Sequence, residues 1–394
     1  MFAAGNKVAT DKSATRRAVL KALGAGALLA SATACAPLPV AGPKYPRAYS
    51  RKPFAAPRVS MDNVIRVITG HRPYRPKGFV VRSEEMDDKF IVHNYGHGGA
   101  GISLSWGSSA LAVRETKGKR PGAVAVIGSG IMGLTSARLL QDAGWDVTIY
   151  TRDVYRHTTS NVAAGEWGPF STHDPAVSPD AFKSQLEWAS RISHHAYTNL
   201  TGPKYGIRWL EAYTLTYTRL QNFQGDDKIA DLFTYKGDLG PGEHPFPTAY
   251  VQRMVTMQID PGVFLRQTVA DFQLAGGKFV LQNFANVSEI LSLKESTIFN
   301  CTGLGAAKLF GDDNLVPAKG QLVFMPPDPA VDYMTFGGVD GNPFVNGGFL
   351  HMFPRSDVIL MGGIFKPGDY TTHVEHDETE RIVTEHQKLF ANFG

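Results

Sequence analysis

Ala123-Val124-Ala125-Val126-Ile127-Gly128-Ser129-Gly130-Ile131-Met132-Gly133 is the stretch on which the fold turns. Five apolar residues in a row suit a parallel strand buried on both faces. The glycines that follow form a Gly-x-Gly-x-x-Gly turn, where only glycine lets the backbone approach a pyrophosphate, and the helix that opens at Ile131 presents its N-terminus to that charge. Apolar periodicity carries this helix to about Ala143, where Gly144 stops it. Val147-Thr148-Ile149-Tyr150 then reads as a second parallel strand. Strand, turn, helix and strand together predict dinucleotide binding through Gly128, Gly130, Ile131, Met132 and Gly133. The acidic residue expected after the second strand is displaced by one position, giving Thr151-Arg152-Asp153. Arg152 suits a 2′-phosphate and Asp153 a ribose, so NADP and FAD both remain open at this point.

Upstream lies Ile91–Gly107, IVHNYGHGGAGISLSWG, which resembles the flavin-contacting signature near the C-terminus of the D-amino-acid oxidase family. Further stretches extend the resemblance. Thr158–Gly165, TTSNVAAG, is similar to the segment with which the family wraps the flavin. Asn300–Gly305 followed by Lys319-Gly320-Gln321 resembles its second strand-to-loop contact with the cofactor. Phe353-Pro354-Arg355 and Leu360–Phe365 resemble the strand bearing the substrate arginine, and Gly70–Pro76, GHRPYRP, resembles its arginine-proline stretch. Some members also have Arg-Asp after the second strand, which favours FAD over NADP.

The resemblance implies a mixed α/β fold, α+β overall: a Rossmann-type FAD-binding domain interleaved with an antiparallel-sheet substrate domain. It further implies that Arg152, Asp153, Thr159, Ser160, Ala164, Gly165, Thr302 and Gly303 join the Gly128 loop in holding FAD. Gly98, Gly99, Ala100, Gly101 and Ser103 would supply donors at the pyrimidine end of the ring, where a helix N-terminus stabilises an anionic reduced flavin. Arg355 would hold a substrate carboxylate through paired hydrogen bonds, assisted by Tyr250. The reaction implied is oxidation of an amino acid, of D configuration by resemblance, to a 2-oxo acid and ammonia, with dioxygen reduced to peroxide. The competing expectations are a dehydrogenase passing electrons to a quinone or other carrier, and a non-catalytic flavin-binding lipoprotein.

The order of the blocks is unusual. The family's final segment precedes the Gly128 loop here, so the chain reads as a circular permutant. A connector as short as Arg114–Pro121 suffices if the helix after the glycine signature ends near the first Rossmann strand, and ends that meet at a surface tolerate such rewiring. The expected organisation is an export signal (1–34), a tether (35–57), the permuted block (58–115), the Rossmann start (120–173), a substrate domain (174–255), a return to the FAD domain (256–310) and substrate-domain strands with a terminal helix (311–394).

The formal charge of +4 does not predict a nucleic-acid partner. Lys7, Lys12, Arg16, Arg17 and Lys21 against Asp11 place all of the excess before Cys35. Thr15–Lys21, TRRAVLK, resembles a twin-arginine export signal, and the run Ala22–Ala34 is too short to span a bilayer. Cys35 offers either ordinary cleavage after Ala34 or lipidation, hence an exported, periplasmic protein with a membrane anchor as an option. Only Cys301 remains downstream, so no intramolecular disulfide is expected. His93 and His97 are four apart, but they sit in a glycine loop without a third ligand, and no metal site is predicted.

Overall fold

The computed structural model describes residues 54–219, 227–338, 344–345 and 348–393. The export signal, Cys35 and most of the tether lie outside them. Phe54–Gly394 forms one unit, built on two large sheets. Six strands stand in the order β2 (Val80–Met86), β3 (Lys89–Tyr95), β10 (Thr297–Asn300), β4 (Ala123–Ile127), β5 (Asp146–Thr151) and β9 (Lys278–Leu281). From β3 to β9 every pairing is parallel, and β2 closes one edge antiparallel to β3. The central strands are apolar on both faces because helices cover both. On one side lie α1 (Gly101–Arg114), α2 (Ile131–Asp142) and α4 (Pro261–Leu274), with α3 (Asp180–Asn199) packed on α1. The short helix α5 (Val287–Leu291) and Phe310 of α6 (Gly305–Phe310) join the cluster around Ile91, Ala125 and Ile298.

The second sheet has nine strands, in the order β1 (Arg66–Tyr74), β11 (Val316–Met325), β16 (Ile359–Gly362), β15 (His351–Pro354), β12 (Tyr333–Phe336), β6 (Ile207–Thr216), β8 (Tyr250–Ile259) and β7 (Thr234–Leu239), with β17 (Lys366–Pro367) beside β11. A two-stranded ribbon, β13 (Phe344–Val345) and β14 (Gly348–Phe349), stands apart. Alternation along the nine-stranded sheet separates two cores. Val323, Met325, Met352, Met361 and Val251 face α7 (His376–Phe390) through Ile382, Val383 and Leu389. Phe324, Leu360, Phe353, Met334 and Met254 face the first sheet and meet Ile131, Met132 and Ile102. The space between the sheets is therefore bounded by the α2 N-terminus on one side and by alternate residues of the second sheet on the other.

Residues 54–95 contribute to both sheets. β1 pairs with β11 over its whole length, Arg66↔Phe324 to Tyr74↔Val316, while β3 pairs with β10. The tether expected to extend to Pro57 ends earlier. Phe54 packs edge-on to Tyr213, Phe246, Tyr333 and Phe393, with ring centroids 5.1–5.9 Å apart, because an aromatic side chain offered an apolar pocket is ordered by it. Among the described residues no helix is long and apolar enough to cross a membrane.

Candidate active site

Gly128 adopts φ +110°, and a Cβ there would fall 2.5 Å from the Cys301 carbonyl oxygen. At Gly133 a Cβ would stand 1.9 Å from the Gly128 carbonyl oxygen. Both glycines are thus required by close approach of backbone to backbone, which seats α2 directly against β4 and β10. Gly130 begins the helix with no side-chain cap. Ser160 Oγ, from the turn Thr159–Val162, accepts the Ile131 N–H at 3.0 Å. Thr302, whose N–H and hydroxyl donate to Asn300 Oδ1, and Gly303 at φ +56° follow β10 beside the same loop. From the other side, a Cβ at Gly101 would lie 3.8 Å from Ile131 Cγ2. Gly101, Gly128–Gly133, Ser160 and Thr302 therefore meet at one helix start, although they are scattered through the chain.

Two of the predicted cofactor contacts take other roles. Arg152 Nε pairs with Asp153 Oδ2 at 2.7 Å on the surface, while Ser129 Oγ and Thr151 Oγ1 hold the Asp153 carbonyl. Ser103 was expected to aim its hydroxyl at a flavin. Instead, the hydroxyl donates to the Glu166 and Gly168 carbonyls and accepts the Gly168 N–H, each at 3.0 Å. It secures the segment after Gly165, where φ is +87° and a Cβ would meet the Ile259 carbonyl at 1.9 Å. Ala164 accepts Gln258 Nε2 at 2.9 Å. The loop around Gly98–Ala100 is held likewise, the Gly99 N–H donating to the Ser171 carbonyl at 3.1 Å.

The predicted substrate pair is corrected. Arg355 is buried, but its guanidinium is already committed. Nε and Nη2 each donate to Asp357 at 2.9 Å, and Nη1 donates to the carbonyls of Ala163 and Asn161 at 3.2 and 3.4 Å. It is a clasp between β15 and the Thr159–Gly165 loop. Tyr250 lies elsewhere. It begins β8, whereas the Ser356 N–H reaches Asp260, just beyond the other end of that strand, at 3.1 Å. Nine residue steps along β8 separate these points by about 30 Å. Tyr250 and Arg355 cannot hold one carboxylate.

Arg72, by contrast, has no carboxylate partner among the described residues. Its Nη1 donates to the Ile364 carbonyl at 3.2 Å and its Cζ lies 5.8 Å from the Phe365 ring centroid. Enclosure by protein lowers its pKa to about 10. Its neighbour in sequence, Arg75, is satisfied by Asp312 at 2.9 Å. The Arg72 guanidinium lies over Gly320, whose added Cβ would be 2.3 Å from Nη1, and its Cδ is 3.8 Å from the Cβ position of Gly99. An enclosed charge without a partner costs several kcal/mol, so this one is placed to receive an anion beside the glycine loop. His351 shares its sheet face. The row Leu322↔Gly362↔His351 crosses β11, β16 and β15, and the imidazole covers Gly362, with Nε2 2.2 Å from where a Cβ would be. The Gly-x-Arg-Pro-x-Arg-Pro pattern was visible in the sequence. What distinguishes its two arginines is Asp312, more than two hundred positions away.

One more residue was missed. Glu166 Oε1 is buried without a hydrogen-bond partner, and Gln258 Oε1 is in the same condition. The two residues face each other across an isolated antiparallel bridge. Desolvation raises the Glu166 pKa to about 8.

The two histidines at 93 and 97 are occupied by protein. His93 bonds Glu84 at 2.7 Å and Asn300 at 2.9 Å, and His97 bonds Ser108 at 2.6 Å while stacking on Phe79.

Residues 123–394 match the family described as FAD dependent oxidoreductase. The chain belongs to that family. Its members use FAD, and the features above suit such a ligand: an uncapped helix start, a glycine cradle that a Cβ would fill, and orphaned polar atoms between the sheets. Among curated proteins, the D-amino-acid oxidase of Schizosaccharomyces pombe is 24% identical over 282 residues, spanning 68% of this chain and 76% of that protein. The D-amino acid oxidase of Dugesia ryukyuensis is 27% identical over 271 residues, 66% and 75% of the two chains. Of solved structures, glycine oxidase from Geobacillus kaustophilus aligns with a TM-score of 0.48 at 19% identity, covering 68% of this chain and 77% of that one. The protein is thus an FAD-dependent oxidoreductase with a mixed α/β architecture.

Proposed function

We propose that this oxidoreductase oxidises a D-amino acid at Cα, releasing a 2-oxo acid and ammonia after hydrolysis of the imine. The observation on which this rests is Arg72, an enclosed guanidinium with no acidic partner beside the Gly98–Gly101 loop. A planar fork of donors fixes both the position and the plane of a carboxylate, and positioning supplies much of the rate in a reaction of this kind. Bound FAD would supply the acceptor for the hydride from Cα, and dioxygen would be the oxidant that regenerates it, yielding hydrogen peroxide. The protein residues bind and orient. Arg72 holds the carboxylate, and Gly320 and Gly362 leave room on the sheet face for the Arg72 guanidinium and the His351 imidazole. The Gly98–Gly101 and Gly128–Gly133 loops hold the cofactor, with Ser160, Ala164, Gly165, Thr302 and Gly303 around it.

The same reading includes a permuted gene order and export. The family match begins at Ala123, yet residues 66–114 supply strands to both sheets and the loop facing the α2 start. Phe54 packs on Phe393, which is where an unpermuted chain would be joined. The Arg16-Arg17 pair and Cys35 support passage to the periplasm and a lipid anchor.

Purified protein mixed anaerobically with a panel of D- and L-amino acids tests the chemistry. Bleaching of the flavin by D-amino acids, and peroxide on readmitting air, is expected. A flavin reduced by no amino acid would overturn the reading, and turnover only with an added quinone would replace the electron acceptor.

A further inference from the structure

We propose that Glu166, backed by Gln258, receives a cationic side chain on the substrate, so that the enzyme selects amino acids ending in an ammonium or guanidinium. This rests on the amino-acid reading above and adds the substrate class. Glu166 and Gln258 lie opposite each other across an isolated bridge, so their side chains leave on the same face. Gln258 lies on the same face of β8 as Met254, which belongs to the core between the two sheets, and that is also the face of Phe324 and Arg72. Both Glu166 Oε1 and Gln258 Oε1 are buried acceptors without donors. No Lys, Arg or His stands within ion-pair distance of Glu166 among the described residues.

The local structure does not account for that carboxyl. The main chain of 166–168 is already held by Ser103 Oγ, and Trp167 N–H donates to the Met257 carbonyl at 2.8 Å. A buried carboxyl and a buried amide oxygen left unmatched cost free energy that an incoming donor restores. Because the acceptors are two and one is ionisable, a cation with several N–H groups fits better than a single neutral donor.

No ion pair joins Arg72 and Glu166 among the described residues. Phe170 links them. Its carbonyl oxygen is 3.6 Å from the Cβ position of Gly99, which is 3.8 Å from Arg72 Cδ; its ring approaches the Cβ position of Gly168, which is 3.2 Å from Glu166 Oε1. An unpaired guanidinium and an unmatched carboxyl on the same sheet face match a molecule with a carboxylate at one end and a basic group at the other.

The test compares D-lysine and D-arginine with D-norleucine on the FAD-loaded wild type, Glu166→Gln and Glu166→Leu. The wild type should prefer the basic substrates in kcat/KM, and Glu166→Leu should lower kcat/KM for them by about 100-fold while leaving D-norleucine unchanged or improved. Glu166→Gln, which keeps the shape and one acceptor, should fall between. As a readout independent of turnover, 6-aminohexanoate should bind the wild type more tightly than hexanoate, and the two should become equal in Glu166→Leu. An equal loss for all three substrates, or a shifted flavin spectrum with selectivity intact, would overturn the inference by assigning Glu166 to the α-amine or the flavin. Reduction by D-norleucine but not by D-lysine would defeat this inference alone. Absence of reduction by any amino acid would defeat the underlying reading first.

Discussion

At the scale of single residues, function in this protein follows from which charges are left without partners. Of three arginines, Arg75 is paired with Asp312 and Arg355, the expected substrate anchor, with Asp357, while Arg72 has no carboxylate partner among the described residues. Arg72→Ala should raise KM for the amino acid by at least about 100-fold with a smaller change in kcat, and Arg72→Lys should recover only part of it because a point charge cannot match both carboxylate oxygens. Steady-state kinetics on the two variants checks this; an unchanged KM would remove Arg72 from the site. Glu166 makes a second prediction. Its folded pKa of about 8 lies above the ordinary 4.5, so the native state keeps a proton that the unfolded chain releases, and stability falls as pH rises between those values. Without ligand, Glu166→Gln should melt like the wild type at pH 5 and at a higher temperature at pH 8. The sequence could propose that an arginine holds a carboxylate, because that follows from guanidinium geometry. It could not say which one, since the answer depends on carboxylates brought in by folding.

At the scale of elements, the strands and helices next to the cofactor loops were the most legible. Ala123–Ile127 coincides with the observed strand because an uninterrupted apolar run has few alternatives to burial. β1 continues through Gly70 and Pro73 to Tyr74, since pairing with β11 overrides the break those residues suggest. β2 went unread because Arg82, Glu84 and Glu85 obscure its alternation, as suits the edge of a sheet. Gly133→Ala should abolish FAD retention: its Cβ would meet the Gly128 carbonyl at 1.9 Å, and α2 would have to lift from β4. The yellow colour after purification and the far-ultraviolet circular dichroism together report this, and a variant that keeps both would show the packing to be softer than described. A further element-scale prediction concerns the start of α7, where Glu375 bonds the fully buried Lys319 at 2.8 Å and also meets Lys366. Glu375→Ala should destabilise the fold by about 3 kcal/mol. Both lysines lower the Glu375 pKa, so its contribution is present at neutral pH and lost as pH falls through that depressed value. Denaturant titrations should show the difference between wild type and variant shrinking toward acid.

For the whole molecule, the two-sheet architecture was legible because family motifs survive the change in their order. The distribution of residues 54–95 between both sheets was not, since it depends on pairings with β10 and β11, over two hundred residues downstream. Phe54 and Phe393 pack against each other, and Gln387 Nε2 donates to the Val59 carbonyl at 3.2 Å. A variant in which a short linker joins Phe393 to Val59, with new ends opened in the exposed connector Lys117–Gly122, should therefore fold, bind FAD and show wild-type selectivity. A linked variant that neither folds nor turns yellow would count against a permuted origin. The enclosed guanidinium of Arg72 has a practical corollary. If Arg72 anchors the substrate as proposed, formate, acetate and citrate would compete for it, since each offers a carboxylate. Assays prepared in those buffers would then make an amino acid look a poorer substrate than it is.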